Sequence, residues 1–126
     1  NKVIEEMKSS TEEIAGLAEK LDVEVQNLSE VTLWLGSRML EGEIVDASAA
    51  ASPYLKMFGQ VLGGYYMGKA ALLANKKYEE TGDEYYLDKI TLSKLYIEQL
   101  LPLASGYTSA VKAGKDVLYA MKAENF

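Results

Sequence analysis

The side chains with catalytic potential in this sequence are carboxylates, lysines and tyrosines, because its 126 residues include neither histidine nor cysteine. Without imidazole, the chain can form neither a Ser-His-Asp triad nor the Glu-x-x-His ligand set of a di-iron bundle. Without thiols, it can form no disulfide framework, thiolate metal site or cysteine nucleophile. These absences leave carboxylate chemistry as the main catalytic option.

Paired carboxylates are the first candidates for general acid–base catalysis or metal binding. Four adjacent pairs occur: Glu5-Glu6, Glu12-Glu13, Glu79-Glu80 and Asp83-Glu84. Adjacent residues on a helix point about 100° apart, so the members of a pair do not converge on one substrate bond or one metal ion. We interpret the pairs as solvated faces and helix ends and assign no catalytic or metal-binding residue. A carboxylate metal site between helices is the alternative.

A second candidate is a phosphate-binding loop, because Gly63 to Lys69 fits the spacing G-x-x-x-x-G-K. The next residue is Ala70, where such a loop needs a serine or threonine hydroxyl to bind magnesium. No strand-like segment precedes the glycines, and Tyr65 and Tyr66 are poorly suited to a loop around phosphate. We therefore predict a helix here, no cofactor-binding residue, and neither binding nor hydrolysis of ATP.

The same region holds four glycines within an apolar stretch from Ser52 to Ala74. They are Gly59, Gly63, Gly64 and Gly68, and the pairs 59/63 and 64/68 are each spaced four residues apart. Residues four apart share one face of a helix, where each glycine costs about 0.5–1 kcal/mol relative to alanine. We expect the close approach of another helix backbone to offset that cost. The stretch is predicted to be the central helix, with these glycines as helix-packing or interface residues.

Tyrosine is the other unusual feature, with nine residues in the chain. Six of them cluster around the second and third predicted helices: Tyr65, Tyr66, Tyr78, Tyr85, Tyr86 and Tyr96. Tyrosine can fill the edge of a core while its hydroxyl reaches water, and it is also enriched at protein–protein contacts. Both interpretations stay open, and Tyr65 and Tyr66 join the glycines as candidate interface residues.

Two further glycines, Gly42 and Gly82, divide the chain into three segments of similar length. Each has the sequence context of a helix end, with an acidic residue opening the next helix. No segment shows the alternating pattern of a β-strand. The predicted fold class is therefore all-α, an antiparallel bundle of three long helices.

The first and third segments carry apolar seams that step by four and three residues, as in a bundle helix. The first seam comprises Met7, Thr11, Ile14, Ala18, Leu21, Val25, Leu28, Thr32, Leu35 and Met39. The third comprises Tyr86, Ile90, Ser93, Ile97, Leu100, Ala104, Tyr107, Val111, Gly114, Leu118 and Met121. Polar residues such as Glu24 lie off the first seam.

Capping and proline signals refine these helices. Ser10 and Glu13 match a capping box, which predicts that the long first helix begins at Ser10. The residues before it form a separate turn or continue something upstream. Pro53 and Pro102 predict a kink or a break in the second and third helices.

The charge pattern argues against nucleic acid and membranes as partners. The formal net charge is −6 and Arg38 is the single arginine, so no basic face is visible. The GxxxG spacing also occurs in membrane dimers, but the stretch between Lys56 and Lys69 is too short to cross ~30 Å of hydrocarbon.

The start of the chain, at Asn1, lacks the basic and apolar regions of a signal peptide. We expect one domain, residues 1–126, excised from the C-terminus of a longer chain. A processed or tag-cleaved product is the alternative.

Two runs carry a resemblance to a known family. They are Ala51 to Met67, ASPYLKMFGQVLGGYYM, and Tyr96 to Pro102, YIEQLLP. With its Pro-Tyr-Leu, Phe-Gly and Gly-Gly elements at this spacing, nearly the whole chain resembles the extra C-terminal domain of certain bacterial acyl-CoA dehydrogenases. That group includes enzymes of the methylmercaptopropionyl-CoA type.

The resemblance implies a parent enzyme that uses FAD to oxidise the α,β carbon–carbon bond of an acyl-CoA in fatty acid metabolism. The catalytic glutamate and the flavin contacts of that family lie upstream, so we assign none here and expect this chain alone to bind no FAD and to be catalytically inert. It would be a cytoplasmic accessory domain that packs on the catalytic core or its dimer interface, with homo-oligomerisation as an option. The alternatives are a free-standing adaptor or oligomerisation module, and a small enzyme or ligand carrier with a bundle pocket.

Overall fold

The computed structural model of the chain describes residues 1–125, and the regular structure within them is entirely helical. The α-helices are α1 (Lys2–Lys8), α2 (Glu12–Leu40), α3 (Ile44–Ala49), α4 (Ala51–Thr81), α5 (Tyr85–Leu95) and α6 (Tyr107–Lys112). A π-helix at Tyr96–Leu100 and a 3₁₀-helix at Leu101–Gly106 link α5 to α6, and a short 3₁₀-helix follows at Ala123–Asn125. The predicted all-α class is confirmed. Within residues 1–125, no helix is both long enough and apolar enough to span a bilayer.

The N-terminal residues form a helix of their own, α1, which turns back onto α2. The turn ends at Thr11, whose side-chain oxygen accepts a hydrogen bond from the N–H of Ile14 at 3.3 Å. The capping box predicted at Ser10 and Glu13 is therefore wrong by one residue, because Thr11 provides the oxygen that caps the helix.

The predicted seam of α2 is buried only in its first half. Ile14 and Leu21 are fully buried, whereas Leu35 is half-buried and Met39 is 57% exposed. The difference arises because α1, only seven residues long, packs beside the first half of α2, where Lys8 pairs with Asp22. The second half of α2 consequently leaves apolar side chains on the surface.

The central helix of the fold is α4, which contacts α1, α2, α3, α5 and α6. Its buried residues recur at helical spacing: Met57, Val61, Gly64, Gly68, Ala71 and Ala74. Pro53 lies in its first turn, where the missing N–H costs no helical hydrogen bond. Gly42 and Gly82 have positive φ angles of 84° and 67°, as helix-ending glycines do. The chain therefore turns at both predicted positions.

The third segment is not the single long helix that its seam predicts. α5 changes at Tyr96 into a π-helix, in which the N–H of Leu101 bonds to the carbonyl of Tyr96, and then into a 3₁₀-helix. Pro102 explains the change, because it has no N–H to donate and its ring clashes with the carbonyl four residues earlier. Regular α-helix ends at Lys112, and Leu118 is 64% exposed. The seam prediction is therefore wrong beyond Lys112.

The single arginine anchors the end of the third segment through Asp46 on α3. Asp46 is 7% exposed, and its carboxylate accepts hydrogen bonds from Arg38 and, at 2.8 Å, from the backbone N–H of Lys115. The preceding Gly114 allows this turn with a φ of 79°. The Arg38 hydrogen bond, followed by that of Lys115, holds the pKa of the Asp46 carboxyl below its usual value. Asp46 thus ties α2 and α3 to the chain that follows α6.

Asp46→Asn is expected to lower the melting temperature at neutral pH by a few degrees, because it removes the charge that Arg38 contacts. The folded-state pKa lies below the unfolded one, so the carboxylate stabilises the fold fully well above about pH 4 and less as pH falls through the folded pKa. Thermal unfolding followed by circular dichroism should show a smaller difference between the two proteins at acid pH than at neutral pH. An equal difference at both pH values would contradict the role of the charge.

Candidate functional site

Two of the four predicted glycines, Gly64 and Gly68, lie on the buried face of α4. A Cβ atom at Gly64 would stand 3.0 Å from Leu101 Cδ1 and 3.1 Å from Leu21 Cδ1. One at Gly68 would stand 2.6 Å from Met7 Sδ. Each glycine therefore forms a notch that holds the end of a side chain from a neighbouring element, which would have to shift to admit a methyl group.

Gly63 forms a third notch, which holds the ring of Tyr96 at the start of the π-helix. A Cβ atom at Gly63 would collide with the Tyr96 hydroxyl and would stand 2.8 Å from Tyr96 Cζ. The hydroxyl donates a hydrogen bond of 2.8 Å to the backbone carbonyl of Gln60, and burial raises the pKa of the phenol. Tyr96 thus fastens the π-helix to α4.

Gly59 takes no part in this packing. It is exposed, and a Cβ atom there would meet nothing within 4 Å. Gly59 therefore makes no packing contact within the bundle, because this side of α4 faces solvent, and its interpretation as an interface residue stays a prediction. The predicted type of contact needs correction, since the other three glycines receive the side chains of Tyr96, Leu101 and Met7 rather than a helix backbone.

A second apolar surface runs along the solvent side of α4, and we call it the outer face of α4. It consists of Leu55, Phe58, Leu62, Tyr66 and Leu73, which are 67%, 43%, 41%, 58% and 60% exposed. At 100° per residue these positions fall on one side of the helix, roughly opposite Met57, Val61 and Gly64. A helix that is apolar on opposite sides is typical of the interior of a larger structure.

Tyr65 and Tyr66 lie on different sides of α4. Tyr65 packs against the core, whereas Tyr66 belongs to the outer face of α4. Their rings meet edge to face with centroids 5.4 Å apart, and Lys69 Nζ lies 5.6 Å and 5.9 Å from the two centroids. These contacts favour one arrangement of the exposed ring. Tyr65 therefore fits the interpretation as filler at the core edge, whereas the interface interpretation of Tyr66 stays a prediction.

The outer face of α4 continues into a groove between the second half of α2 and the start of α4. Two adjoining cavities of about 460 Å³ and 410 Å³ share a wall formed by Thr32 and Tyr54, whose hydroxyls are hydrogen-bonded at 2.7 Å. The apolar lining comprises Leu28, Leu33, Leu35, Met39, Ala47, Ala51, Leu55 and Phe58. The chain exposes 8086 Å², against about 6700 Å² for a compact monomer of its size. The molecule therefore carries apolar surface that its own helices do not cover.

The paired carboxylates and the phosphate-loop spacing, which were the catalytic candidates in the sequence, do not form a site. The four carboxylate pairs are exposed. In the part of the chain that the structure describes, no group of three or more acidic side chains could hold a metal ion. Gly63 to Lys69 lie within α4, so the phosphate-loop spacing is part of a helix.

Sequence reasoning missed one group, Glu24 on α2. Although it lies off the seam, Glu24 is only 7% exposed, and burial raises the pKa of its carboxyl while a hydrogen bond from Asn27 lowers it by less. Its Oε2 atom accepts no hydrogen bond from any residue that the structure describes. The elements that cover Glu24 include the π-helix, and the spacing of apolar residues gives no signal for a π-helix.

A comparison with protein-family models matches residues 3–122 to the family described as "Acetyl-CoA dehydrogenase C-terminal like". Neither a search of curated proteins nor a search of solved structures finds a match to the chain. The family match covers α2 to α6 and all of α1 except Lys2, and so includes the three glycine notches and the outer face of α4.

Proposed function

The chain belongs to the family of acetyl-CoA dehydrogenase C-terminal-like domains, and on this premise we propose that it is an accessory domain of an FAD-dependent acyl-CoA dehydrogenase. In this proposal the parent enzyme oxidises the α,β carbon–carbon bond of an acyl-CoA, and the domain packs on its catalytic core or dimer interface. The parent acts in cytoplasmic fatty acid metabolism and belongs to the methylmercaptopropionyl-CoA dehydrogenase-like group.

The observation that supports docking is the outer face of α4. Its five large apolar side chains lie outside the hydrophobic core of this chain, and they are 41% to 67% exposed to water. Contiguous apolar surface of this kind marks a contact with another protein surface. Gly59 lies among these residues, and its helical cost is offset by no contact within the chain. A close contact with the catalytic core would account for both features.

The residues of this chain do not fit FAD. The notches at Gly63, Gly64 and Gly68 are already filled by Tyr96, Leu101 and Met7, so they offer no cradle for a pyrophosphate. The two cavities between α2 and α4 are lined mainly by apolar side chains, with the hydroxyls of Thr32 and Tyr54 bonded to each other. A flavin needs convergent polar groups that bind and orient it. We therefore assign the flavin and the catalytic base to the core of the parent.

The test of this proposal compares the parent enzyme with and without the segment from Ser10 to Phe126. Deletion is expected to lower flavin content, impair assembly and reduce acyl-CoA oxidation, because the surface that the domain covers becomes exposed. The chain alone is expected to bind no FAD and to reduce none on addition of an acyl-CoA. These are measured by flavin absorbance, by size-exclusion chromatography with light scattering, and by turnover.

Two results would count against the proposal. Unchanged flavin content, assembly and turnover after the deletion would contradict an accessory role. A chain that forms stable homodimers through the outer face of α4, without any effect on the enzyme, would instead support a free-standing oligomerisation module.

A further inference from the structure

The buried carboxyl of Glu24 has an oxygen without a hydrogen bond. Glu24 is 7% exposed, and no residue that the structure describes donates to its Oε2 atom. Buried polar atoms in native proteins are almost always paired, so an unpaired one requires an explanation. One explanation is that the hydrogen-bond donor for Oε2 belongs to another molecule.

The neighbours of Glu24 are engaged elsewhere. Lys20 lies one turn earlier on the same face of α2, but its ammonium pairs with Glu98 of the π-helix at 3.5 Å. Asn27 is the one side chain whose hydrogen bond lowers the pKa of Glu24, and its effect is smaller than the opposing effect of burial. The carboxyl therefore carries the cost of burial without a full set of donors.

The surroundings of Glu24 combine charged side chains with apolar walls. A cavity of about 240 Å³ is lined by Lys20, Val23, Glu24, Ile97, Glu98, Leu101 and Pro102. Pro102 has no N–H to offer to the backbone carbonyl of Glu98 four residues earlier. In the π-helix, the N–H of Leu101 bonds to the carbonyl of Tyr96, five residues earlier. π-bulges of this type are frequent at functional sites. We call this cavity the Glu24 socket.

We propose that the Glu24 socket binds the guanidinium group of an arginine side chain of the parent enzyme. An arginine offers five N–H donors and no acceptor, which matches a buried carboxylate with an unpaired oxygen. Its flat faces suit the apolar walls formed by Val23, Leu101 and Pro102. The net charge of −6 favours a basic partner. The identity of the partner rests on the proposed function, whereas the ligand chemistry does not.

A direct test uses N-ethylguanidinium as the probe and the ¹³C chemical shift of the Glu24 carboxyl as the signal. Tetramethylammonium is the control cation, because it carries the same charge without an N–H donor. N-ethylguanidinium is expected to shift the Glu24 signal saturably, with an affinity at least about tenfold higher than that of tetramethylammonium. Equal effects of the two cations, or no saturable shift, would overturn the proposal.

Two variants complete the test. Glu24→Gln keeps the shape but removes the charged acceptor, and it should abolish saturable binding of N-ethylguanidinium, whereas Glu19→Gln on the exposed side of α2 should leave binding unchanged. Glu24→Gln should also leave the melting temperature unchanged or higher. A clearly lower melting temperature would show that the carboxyl serves the fold, for example by pairing with Lys20, and would count against the socket.

The probe experiment does not involve the parent enzyme, so its failure and the failure of the proposed function are distinguishable. If N-ethylguanidinium does not bind but the chain still associates with the catalytic core, the socket is wrong and the accessory role stands. If it binds but the core does not associate, the socket stands and the accessory role is wrong.

Discussion

Gly63→Leu is expected to lower the free energy of unfolding by about 1–3 kcal/mol, the usual cost of overpacking a well-filled site. The leucine side chain would occupy the space of the Tyr96 ring, since even a Cβ atom there would stand 2.8 Å from Tyr96 Cζ. Displacing the ring would also break the hydrogen bond from Tyr96 to the carbonyl of Gln60. The measurement is urea unfolding followed by circular dichroism.

Gly59→Leu is the matched control, because it places the same side chain on the same helix where a Cβ atom meets nothing within 4 Å. It should stabilise the chain by about 0.5–1 kcal/mol through helix propensity alone. Glu12→Leu, at the exposed start of α2, should have little effect. If Gly63→Leu unfolds at the same urea concentration as the wild type, no close contact exists at this notch.

A double-mutant cycle can assign the effect to the Tyr96 hydroxyl. Gly63→Ala adds only the Cβ atom that would collide with that hydroxyl, and Tyr96→Phe removes the hydroxyl. The cost of Gly63→Ala should therefore be smaller in the Tyr96→Phe background, with a coupling energy of about 0.5–3 kcal/mol. Additive effects of the two substitutions would show that the cost of Gly63→Ala does not arise from the Tyr96 hydroxyl.

Leu62→Asp is expected to weaken association with the catalytic core at least about a hundredfold, which corresponds to about 2.8 kcal/mol. Leu62 lies in the middle of the outer face of α4 and is 41% exposed. Burying a carboxylate in an apolar contact without a partner is costly, whereas in the free chain this partly exposed position lets the carboxylate reach water. The fold of the free chain should therefore be nearly unaffected, as judged by circular dichroism and melting temperature.

Leu118→Asp is the matched control for this prediction. Leu118 is a 64% exposed leucine outside α4, so the same substitution there should leave the affinity for the core unchanged. Equal losses of affinity in Leu62→Asp and Leu118→Asp would point to a general effect of added negative charge rather than to the outer face of α4.

The parts of the fold that follow from local chemistry were predictable from the sequence. Gly42 and Gly82 adopt the left-handed conformation that their positions predicted, because a helix end needs a residue that tolerates positive φ. The third segment was not predictable, because its apolar spacing continues through Pro102 while the backbone hydrogen bonds change there to π and 3₁₀ patterns. A pattern of side chains records which residues face the core, but not which carbonyl each N–H reaches.

The candidate site was predictable in composition but not in contacts. Glycine content marked α4, yet spacing alone could not show that Gly63 receives the ring of Tyr96 while Gly59 faces solvent. The exposure of the outer face of α4 was also unpredictable, because the sequence pattern of an apolar helix surface is the same whether this chain or another protein covers it. Glu24 went unrecognised since its burial depends on how the π-helix crosses α2.

The most direct test of the accessory-domain account is isothermal titration calorimetry of the chain into the parent enzyme from which the segment has been deleted. The account predicts saturable binding of one chain per protomer, with the negative heat-capacity change of apolar burial. It also predicts loss of that binding in Leu62→Asp and recovery of flavin content when the wild-type chain is added. Absence of binding by a folded wild-type chain, or equal binding by wild type and Leu62→Asp, would contradict it.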